Sequence, residues 1–155
     1  MKKKYSLEEL YFKAANYCAY QERCEQDVYQ KLKQLEAEPN EIGKVVDKLY
    51  EENFLNQERY ARSFTRGHFE YKKWGKLKIN YALKSKKIPT LLIKKALKEI
   101  EEKHYRDVLS KIIIKKRDSL KKDLCVQEIA QKVRNYAASK GFESELIKEV
   151  WNELN

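Results

Sequence analysis

Residues 28–49, "VYQKLKQLEAEPNEIGKVVDKL", contain two amphipathic segments separated by a break just before Pro39. Counting from Val28, apolar residues follow at offsets of 4, 14, 18 and 21 positions. These spacings place the apolar side chains on one face of each segment when the segment is helical. Proline is favoured at the first position of a helix. The stretch therefore predicts a helix, a short turn and a second helix whose apolar faces pack together.

The same apolar template returns twice further along the chain. It begins again at Ile79 and at Val133, so corresponding positions are 51 and then 54 residues apart. One match of this kind is common in helical proteins, but three matches to a helix–turn–helix template favour internal repetition. A further helix is predicted before each template, over residues 7–20, 58–71 and 105–117. We therefore predict three-helix repeats at residues 1–56, 57–103 and 104–155.

The composition agrees with an all-α fold. The 155 residues include only 4 glycines and 2 prolines, which leaves little material for the tight turns of a β protein. A three-helix unit is too small to bury its own apolar face completely, so neighbouring units should pack against each other. We predict an all-α protein in which three tandem three-helix repeats stack into an elongated, curved array.

Polar residues mark several predicted helix starts. Ser6 followed by Glu9 is a capping box, in which each side chain accepts a hydrogen bond from the other residue's backbone. Asn56 is the predicted N-cap of the first helix in the second repeat. Thr90 and Ser144 occupy the slot of the proline in the later repeats, and we predict that both are N-caps.

Several function classes are disfavoured by the sequence. No apolar run approaches the length of a membrane span, and the start "MKKKYSLEEL" lacks the apolar stretch of a signal peptide. Cys18, Cys24 and Cys125 lack metal-ligand spacing, and reduced thiols suggest a cytoplasmic protein. His68 and His104 stand far apart, without cysteine or carboxylate at ligand spacing. We expect no enzymatic activity, no metal and no cofactor.

The positive charge is concentrated in the middle of the chain. The net charge is +10, with 34 Lys and Arg residues against 24 Asp and Glu residues. Residues 59–98 hold 13 basic residues and 1 acidic residue, whereas residues 1–58 have a net charge of −3 and residues 99–155 of +1. Such a segment favours association with nucleic acid or with an acidic protein surface.

Aromatic residues are interleaved with the basic ones in this segment. Tyr60 and Phe64 share the apolar face of a predicted helix and should lie in the core. Trp74 could pack between two helices, or it could be an exposed anchor for a partner or a nucleobase. The candidate contact residues are Arg59, Arg62, Arg66, Lys72, Lys73, Trp74, Lys76 and Lys78.

The middle of the chain resembles the RecX family, whose members regulate the bacterial RecA recombinase. The stretches that carry the resemblance are "NFLNQERYARSFTR" and "KKWGKLKINYALKSKKI". The first repeat is similar as well, in "AANYCAYQERCEQDVYQKL", whereas the last third matches mainly through "YAASKGFESELIKEVW". Individual matches include Asn56, Glu58, Arg59 and Gly75. Lys87 departs from the pattern because it stands where the family usually has glycine, so the turn before Ile88 could differ.

The resemblance implies an all-α array of three-helix repeats that binds in the groove of the RecA filament on DNA. It implies suppression of strand exchange and coprotease activity during DNA repair and the SOS response, without a catalytic site. The partners expected are thus the RecA filament and single- or double-stranded DNA, contacted through its backbone. We expect a monomer without a membrane partner.

Two other interpretations of the sequence stay open. The chain could bind the nucleic-acid backbone directly, without a recombinase, since three-helix units resemble those that place a helix in the major groove. It could also be a structural adaptor for an acidic protein. The salt dependence of DNA binding and the affinity for an acidic protein without DNA would distinguish these alternatives.

Overall fold

The computed structural model describes residues 4–120 and 122–155, and all of its regular secondary structure in these ranges is helical. In these ranges nine helices follow one another without a strand. Their bounds are α1 Leu7–Tyr20, α2 Glu25–Gln34, α3 Pro39–Glu51, α4 Gln57–Glu70, α5 Lys76–Ser85, α6 Thr90–Lys98, α7 Glu102–Ser119, α8 Val126–Ser139 and α9 Ser144–Leu154. The predicted all-α class is confirmed.

The helices pack together in three consecutive groups of three: α1–α3, α4–α6 and α7–α9. The side chains of the repeating template form the interior of these groups. At Val28, Ile79 and Val133, where the template begins, the side chain is fully buried. Leu97, at a later template position, is partly buried against the core that contains Ile79 and Val133. The tandem three-helix arrangement predicted from the spacing is therefore confirmed.

Each group contains the same left-handed turn between its second and third helices. Glu36, Lys87 and Gly141 have positive φ angles of 63°, 61° and 97°. The next residue's N–H then donates to a carbonyl five positions earlier, at 3.0, 3.1 and 3.3 Å respectively. This hydrogen bond is the signature of a Schellman motif, which usually has glycine at the left-handed position. Lys87 therefore adopts the same turn although it lacks the glycine of the family pattern.

The structure confirms two predicted helix starts and corrects two others. The Ser6–Glu9 capping box and the Asn56 cap are both present. Thr90 and Ser144, however, are the first helical residues of α6 and α9, so the N-cap prediction is wrong for both. The preceding residues, Pro89 and Glu143, have extended backbones and take the N-cap position. Proline at position 89 fixes this geometry because its ring restricts φ.

The last two groups share one core, whereas the first group has its own. The core residues of α4–α9 form one cluster, and those of α1–α3 form a second cluster. The N–H groups of Gly75 and Leu77 donate to the carbonyls of Lys140 and Gly141, at 2.7 and 2.9 Å, which fixes α5 against the turn before α9. The second and third groups are therefore joined by backbone as well as by apolar contact.

The accessible surface is large for the size of the chain. It measures 10325 Å², whereas a compact protein of 18.6 kDa exposes about 8,200 Å². The excess agrees with the elongated array. None of the helices in the described ranges combines the length and the apolar character that a membrane crossing requires.

Candidate binding surface

Arg59 connects the first group of helices to the second. Its guanidinium pairs with the carboxylate of Glu22 and donates to the carbonyls of Asn53 and Phe54, at 3.1 and 3.3 Å. The side chain is 38 % exposed. Because its donors already have partners within the chain, Arg59 supports the junction between α1 and α4 in addition to any role in binding.

The two other arginines of α4 are more accessible. Arg62 pairs with Glu99 at 2.7 Å, and its side chain is 48 % exposed. Arg66 is exposed and has no carboxylate partner among the residues that the structure describes. The three arginines line one shallow depression of about 340 Å³ together with Glu22 and Ser63. The structure thus brings three of the predicted contact residues together in one place.

Trp74 is half-buried, with its indole ring packed against the side chains of α4. Its centroid lies 4.6 Å from that of His68 and 6.4 Å from that of Phe64. The ammonium groups of Lys78 and Lys72 lie 4.6 and 5.6 Å from the ring centroid. This packing favours the alternative in which Trp74 packs between structural elements over the exposed anchor. Two lysine ammonium groups nevertheless cover the ring and extend toward solvent.

The remaining predicted lysines have different surroundings. Lys76 lies at the junction of the second and third groups, where its Nζ is 3.5 Å from Glu102 and 4.5 Å from the centroid of Tyr105. Lys72 and Lys73 are exposed in the turn between α4 and α5. Lys72 and Lys73 line a groove on the side of α7, which is separate from the depression that the arginines line.

This groove, which we call the α7 groove, has a volume of about 620 Å³. It is bounded by the α4–α5 turn, the length of α7 and the end of α8. Of the residues that the structure describes, six lysines and no acidic residue line it. These lysines are Lys72, Lys73, Lys111, Lys115, Lys116 and Lys140. Four of the six belong to the third repeat, although residues 99–155 have a net charge of only +1.

The sequence does contain a helical spacing that could have predicted two of these lysines. Lys111 and Lys115 are four residues apart on α7, so they project from the same face. Acidic residues of the third repeat lie elsewhere, since Glu149 and Glu153 pair with Arg106 at 3.1 and 2.7 Å. Summing charges along the chain hides this separation of faces, which is why the groove was missed.

Ionisable groups at the first junction have perturbed pKa values. Burial raises the pKa of the Asp27 carboxyl, but hydrogen bonds from the Lys86 ammonium and the Cys24 N–H outweigh it, so the net pKa is lowered. Burial and the hydroxyl's hydrogen bond to Glu25 raise the pKa of Tyr50 to about 12. These groups stabilise the packing of α2 against α3 and α5.

The two histidines lie apart and have separate partners. The His68 ring stacks on Phe64 with 3.7 Å between the centroids, and burial lowers its pKa. His104 lies 3.1 Å from the Glu70 carboxylate. Within residues 4–120 and 122–155, no three His, Cys, Asp or Glu side chains are grouped in a way that could hold a metal ion.

The family models, the curated relatives and the solved structures that match this chain all carry the name of the same family. Models of the first and second three-helix domains of RecX match residues 11–49 and 56–97, which together make up just over half of the chain. "Regulatory protein RecX" of Streptococcus uberis is 28 % identical over 92 % of this chain and 54 % of its own length. The protein of the same name from Clostridium beijerinckii is 30 % identical over 83 % of this chain and 60 % of its own length.

Solved structures show the same fold. The crystal structure of RecX from Lactobacillus salivarius superposes with a TM-score of 0.85 at 24 % identity, and the match covers 96 % of both chains. A crystal structure of regulatory protein RecX gives 0.82 at 23 % identity, over 94 % of this chain and 73 % of the other. The chain spans about half the length of the first curated relatives that it matches. From the first and second RecX domains, which are matched in their family order over just over half of the chain, we conclude that this chain belongs to the RecX family.

Proposed function

We propose that this chain regulates a RecA-type recombinase by binding the filament that the recombinase forms on DNA and lowering its activity. Membership of the RecX family is the observation that carries the proposal. The role needs no catalytic group and no cofactor, and we expect the chain to act in the cytoplasm as a monomer.

Shape and charge support this role. An elongated array can lie along a helical groove and contact more than one subunit of a filament. The basic surface of the second repeat can then meet acidic protein surface or DNA phosphate, and long-range attraction speeds such encounters. A regulator changes the filament only if it binds one filament geometry more tightly than another. Contact with two neighbouring subunits would provide that difference in affinity.

The arginines of α4 are the sharpest test of this surface. We expect the double substitution Arg62→Glu and Arg66→Glu to weaken binding to a preformed filament by at least about tenfold, because like charges then face each other. Arg59 is left unchanged, since its guanidinium also donates to the Asn53 and Phe54 carbonyls at the junction, whereas Arg62 has the single exposed pair with Glu99. Binding is measured by co-sedimentation with filaments on single-stranded DNA.

The matched control is Lys94→Glu with Lys95→Glu, which changes the net charge equally at two exposed positions of α6. The control should bind the filament more tightly than the arginine variant does. Equal weakening by both variants would mean that only total charge matters, and unchanged binding by the arginine variant would refute the proposed contact.

A second candidate function is direct action on the nucleic-acid backbone without a recombinase. The clustering of exposed lysines in the α7 groove is the observation that favours it. In that case the chain would inhibit any enzyme that needs the same DNA, and inhibition would require enough protein to cover the strand.

A further inference from the structure

The α7 groove carries an excess of positive charge that the protein itself does not neutralise. No acidic residue of the described part of the chain lines the groove, and Glu70 pairs with the lining residue His104, at 3.1 Å. The Lys140 ammonium donates to the backbone carbonyl of Lys72 at 3.0 Å, which holds one lysine without neutralising it. Six lysines that line one groove repel one another, and an anion bound in the groove would reduce this repulsion.

Two tyrosines give the groove a second property. Tyr71 is 87 % exposed and Tyr136 is 40 % exposed, although both line the groove. An aromatic side chain as exposed as Tyr71 contributes little to the protein core. The Lys116 ammonium lies 4.9 Å from the centroid of the Tyr136 ring, so a cation and an aromatic face lie side by side in the wall.

The floor of the groove is apolar. Val108 is buried and Ile112 is half-buried on the α7 face between the lysines. From His104 to Ser119 the groove follows α7 for about 22 Å, at the rise of an α-helix. Charge, exposed rings and an apolar floor over this length suit a short anionic chain that carries flat apolar groups.

Single-stranded nucleic acid has this chemistry. Its phosphates pair with lysines, and its unpaired bases stack on exposed aromatic rings without regard to sequence. Duplex DNA has phosphates too, but its bases are stacked on each other and cannot reach Tyr71. Lysine, as a point charge, is suited to phosphate contact rather than to reading base edges.

We infer that the α7 groove is a binding site for single-stranded nucleic acid, in which lysines hold the phosphates and Tyr71 stacks on a base. The inference deepens the proposed function, because it names the part of a nucleoprotein filament that this face would contact. It adds Tyr71, Lys111, Lys115 and Tyr136 to the residues predicted from the sequence.

The test uses the full chain without any recombinase, so that its failure is distinct from failure of the proposed function. The probe is a fluorescent oligothymidylate of about 16 nucleotides, and its anisotropy is measured at several salt concentrations. We expect Lys111→Gln with Lys115→Gln to reduce the slope of log affinity against log salt by about 1.4. The control, Lys132→Gln with Lys148→Gln, changes two exposed lysines outside the groove and should keep the slope of the unaltered chain.

Stacking is tested separately at Tyr71. We expect Tyr71→Ala to weaken oligothymidylate binding at least about fivefold, whereas Tyr71→Phe retains it. The matched control is Tyr20→Ala, since Tyr20 is 84 % exposed in the first repeat, away from the groove. An abasic oligonucleotide of the same length has phosphates but no bases, so Tyr71→Ala should bind it as the unaltered chain does.

Three results would overturn the inference. The first is unchanged oligothymidylate binding by Tyr71→Ala, which would remove the stacking role. The second is duplex DNA of the same length binding as tightly and with the same dependence on Tyr71. The third is binding of polyglutamate without binding of oligothymidylate, which would assign the groove to an acidic polypeptide.

Discussion

Lys87 has a backbone φ of 61°, a left-handed conformation that is costly for a residue with a Cβ atom. It keeps this conformation because the Ile88 N–H must reach the Leu83 carbonyl at 3.1 Å to close the turn between α5 and α6. The equivalent residue in the third repeat is Gly141, for which the same turn is less strained. The second repeat therefore has backbone strain at a position where the third repeat, which has glycine there, has less.

We predict that Lys87→Gly stabilises the protein by about 1 kcal/mol, because glycine adopts positive φ without steric cost. The control is Lys84→Gly, at an exposed helical position of α5, which should destabilise it by about 1 kcal/mol. Urea unfolding of both variants measures the free energies. A destabilised Lys87→Gly variant would contradict the account of the turn.

His68 makes the stability depend on pH. Burial lowers its pKa below the ordinary value of 6.5, and the charge of Lys72 adds to this effect, although the hydrogen bond to the Phe64 carbonyl opposes it. The unfolded state thus takes up the proton at a higher pH than the folded state does. Stability should therefore fall as the pH drops below about 6.5 toward the folded pKa.

We predict that His68→Gln reduces the loss of unfolding free energy between about pH 7.5 and pH 5.5. The control is His104→Gln, which removes a histidine that is exposed beside Glu70. Unfolding by urea at the two pH values provides the comparison. If His104→Gln alone removed the dependence, the assignment to His68 would be wrong.

At the scale of an element, α5 is positioned by the close approach of two glycines. A Cβ atom on Gly75, the N-cap of α5, would lie 2.3 Å from the carbonyl carbon of Gly141. A Cβ atom on Gly141 would lie 2.3 Å from the Cβ of Lys78. The contact leaves no space for a side chain, and it allows the Gly75 N–H to donate to the Lys140 carbonyl of the third repeat at 2.7 Å.

We predict that Gly75→Ala destabilises the protein by at least about 2 kcal/mol, because backbone rather than a flexible side chain must move. Gly43 and Gly67 are matched controls, since each lies within a helix and has open space where its Cβ would be. Alanine at either control position should stabilise by about 0.5–1 kcal/mol. Thermal unfolding of the three variants would contradict this account if all three changed stability equally.

The elements themselves could be predicted from the sequence, but their contacts could not. The template starting at Val28, Ile79 and Val133 gave the helix pairs because apolar periodicity reflects burial within one repeat. The predicted bounds of α7 were too short, at residues 105–117, since polar residues such as Glu102 begin the helix without an apolar signal. The Gly75–Gly141 contact joins residues far apart in the chain, and no local pattern encodes it.

The candidate binding surface, too, could be predicted only in part from the sequence. The charge run predicted the accessible Arg62, Arg66, Lys72 and Lys73. It could not show that Arg59 pairs with Glu22, which lies 37 residues earlier. It also missed the lysines of α7, because charges from opposite faces of the third repeat cancel in a sum along the sequence. Charge patterning therefore predicts which residues are solvated, whereas the fold decides which of them share a face.

At the scale of the whole molecule, the first repeat is joined to the rest mainly by polar contacts. Its core is separate from the core shared by α4–α9. The junction includes the Arg59–Glu22 pair and the pair of Lys86 with Asp27 at 3.0 Å, while buried Cys24 contacts the second core. The first repeat should therefore be able to open without unfolding the other two.

We predict that Glu22→Gln with Asp27→Asn makes the amides of α1–α3 exchange about fivefold faster, with α8 unchanged, because the lost pairs are worth about 1 kcal/mol. The control is Glu149→Gln with Glu153→Gln, which removes exposed pairs inside the third repeat. Hydrogen exchange resolved by helix is the measurement. Equal acceleration in α8 would mean that the chain opens as one unit.

The most direct test of the regulatory role is ATP hydrolysis by a RecA-type recombinase on excess single-stranded DNA, titrated with this protein. Action on the filament predicts loss of hydrolysis well below one copy of the protein per recombinase, since one bound copy affects neighbouring subunits. Loss of hydrolysis only when the protein saturates the DNA would contradict that role and would indicate competition for the strand.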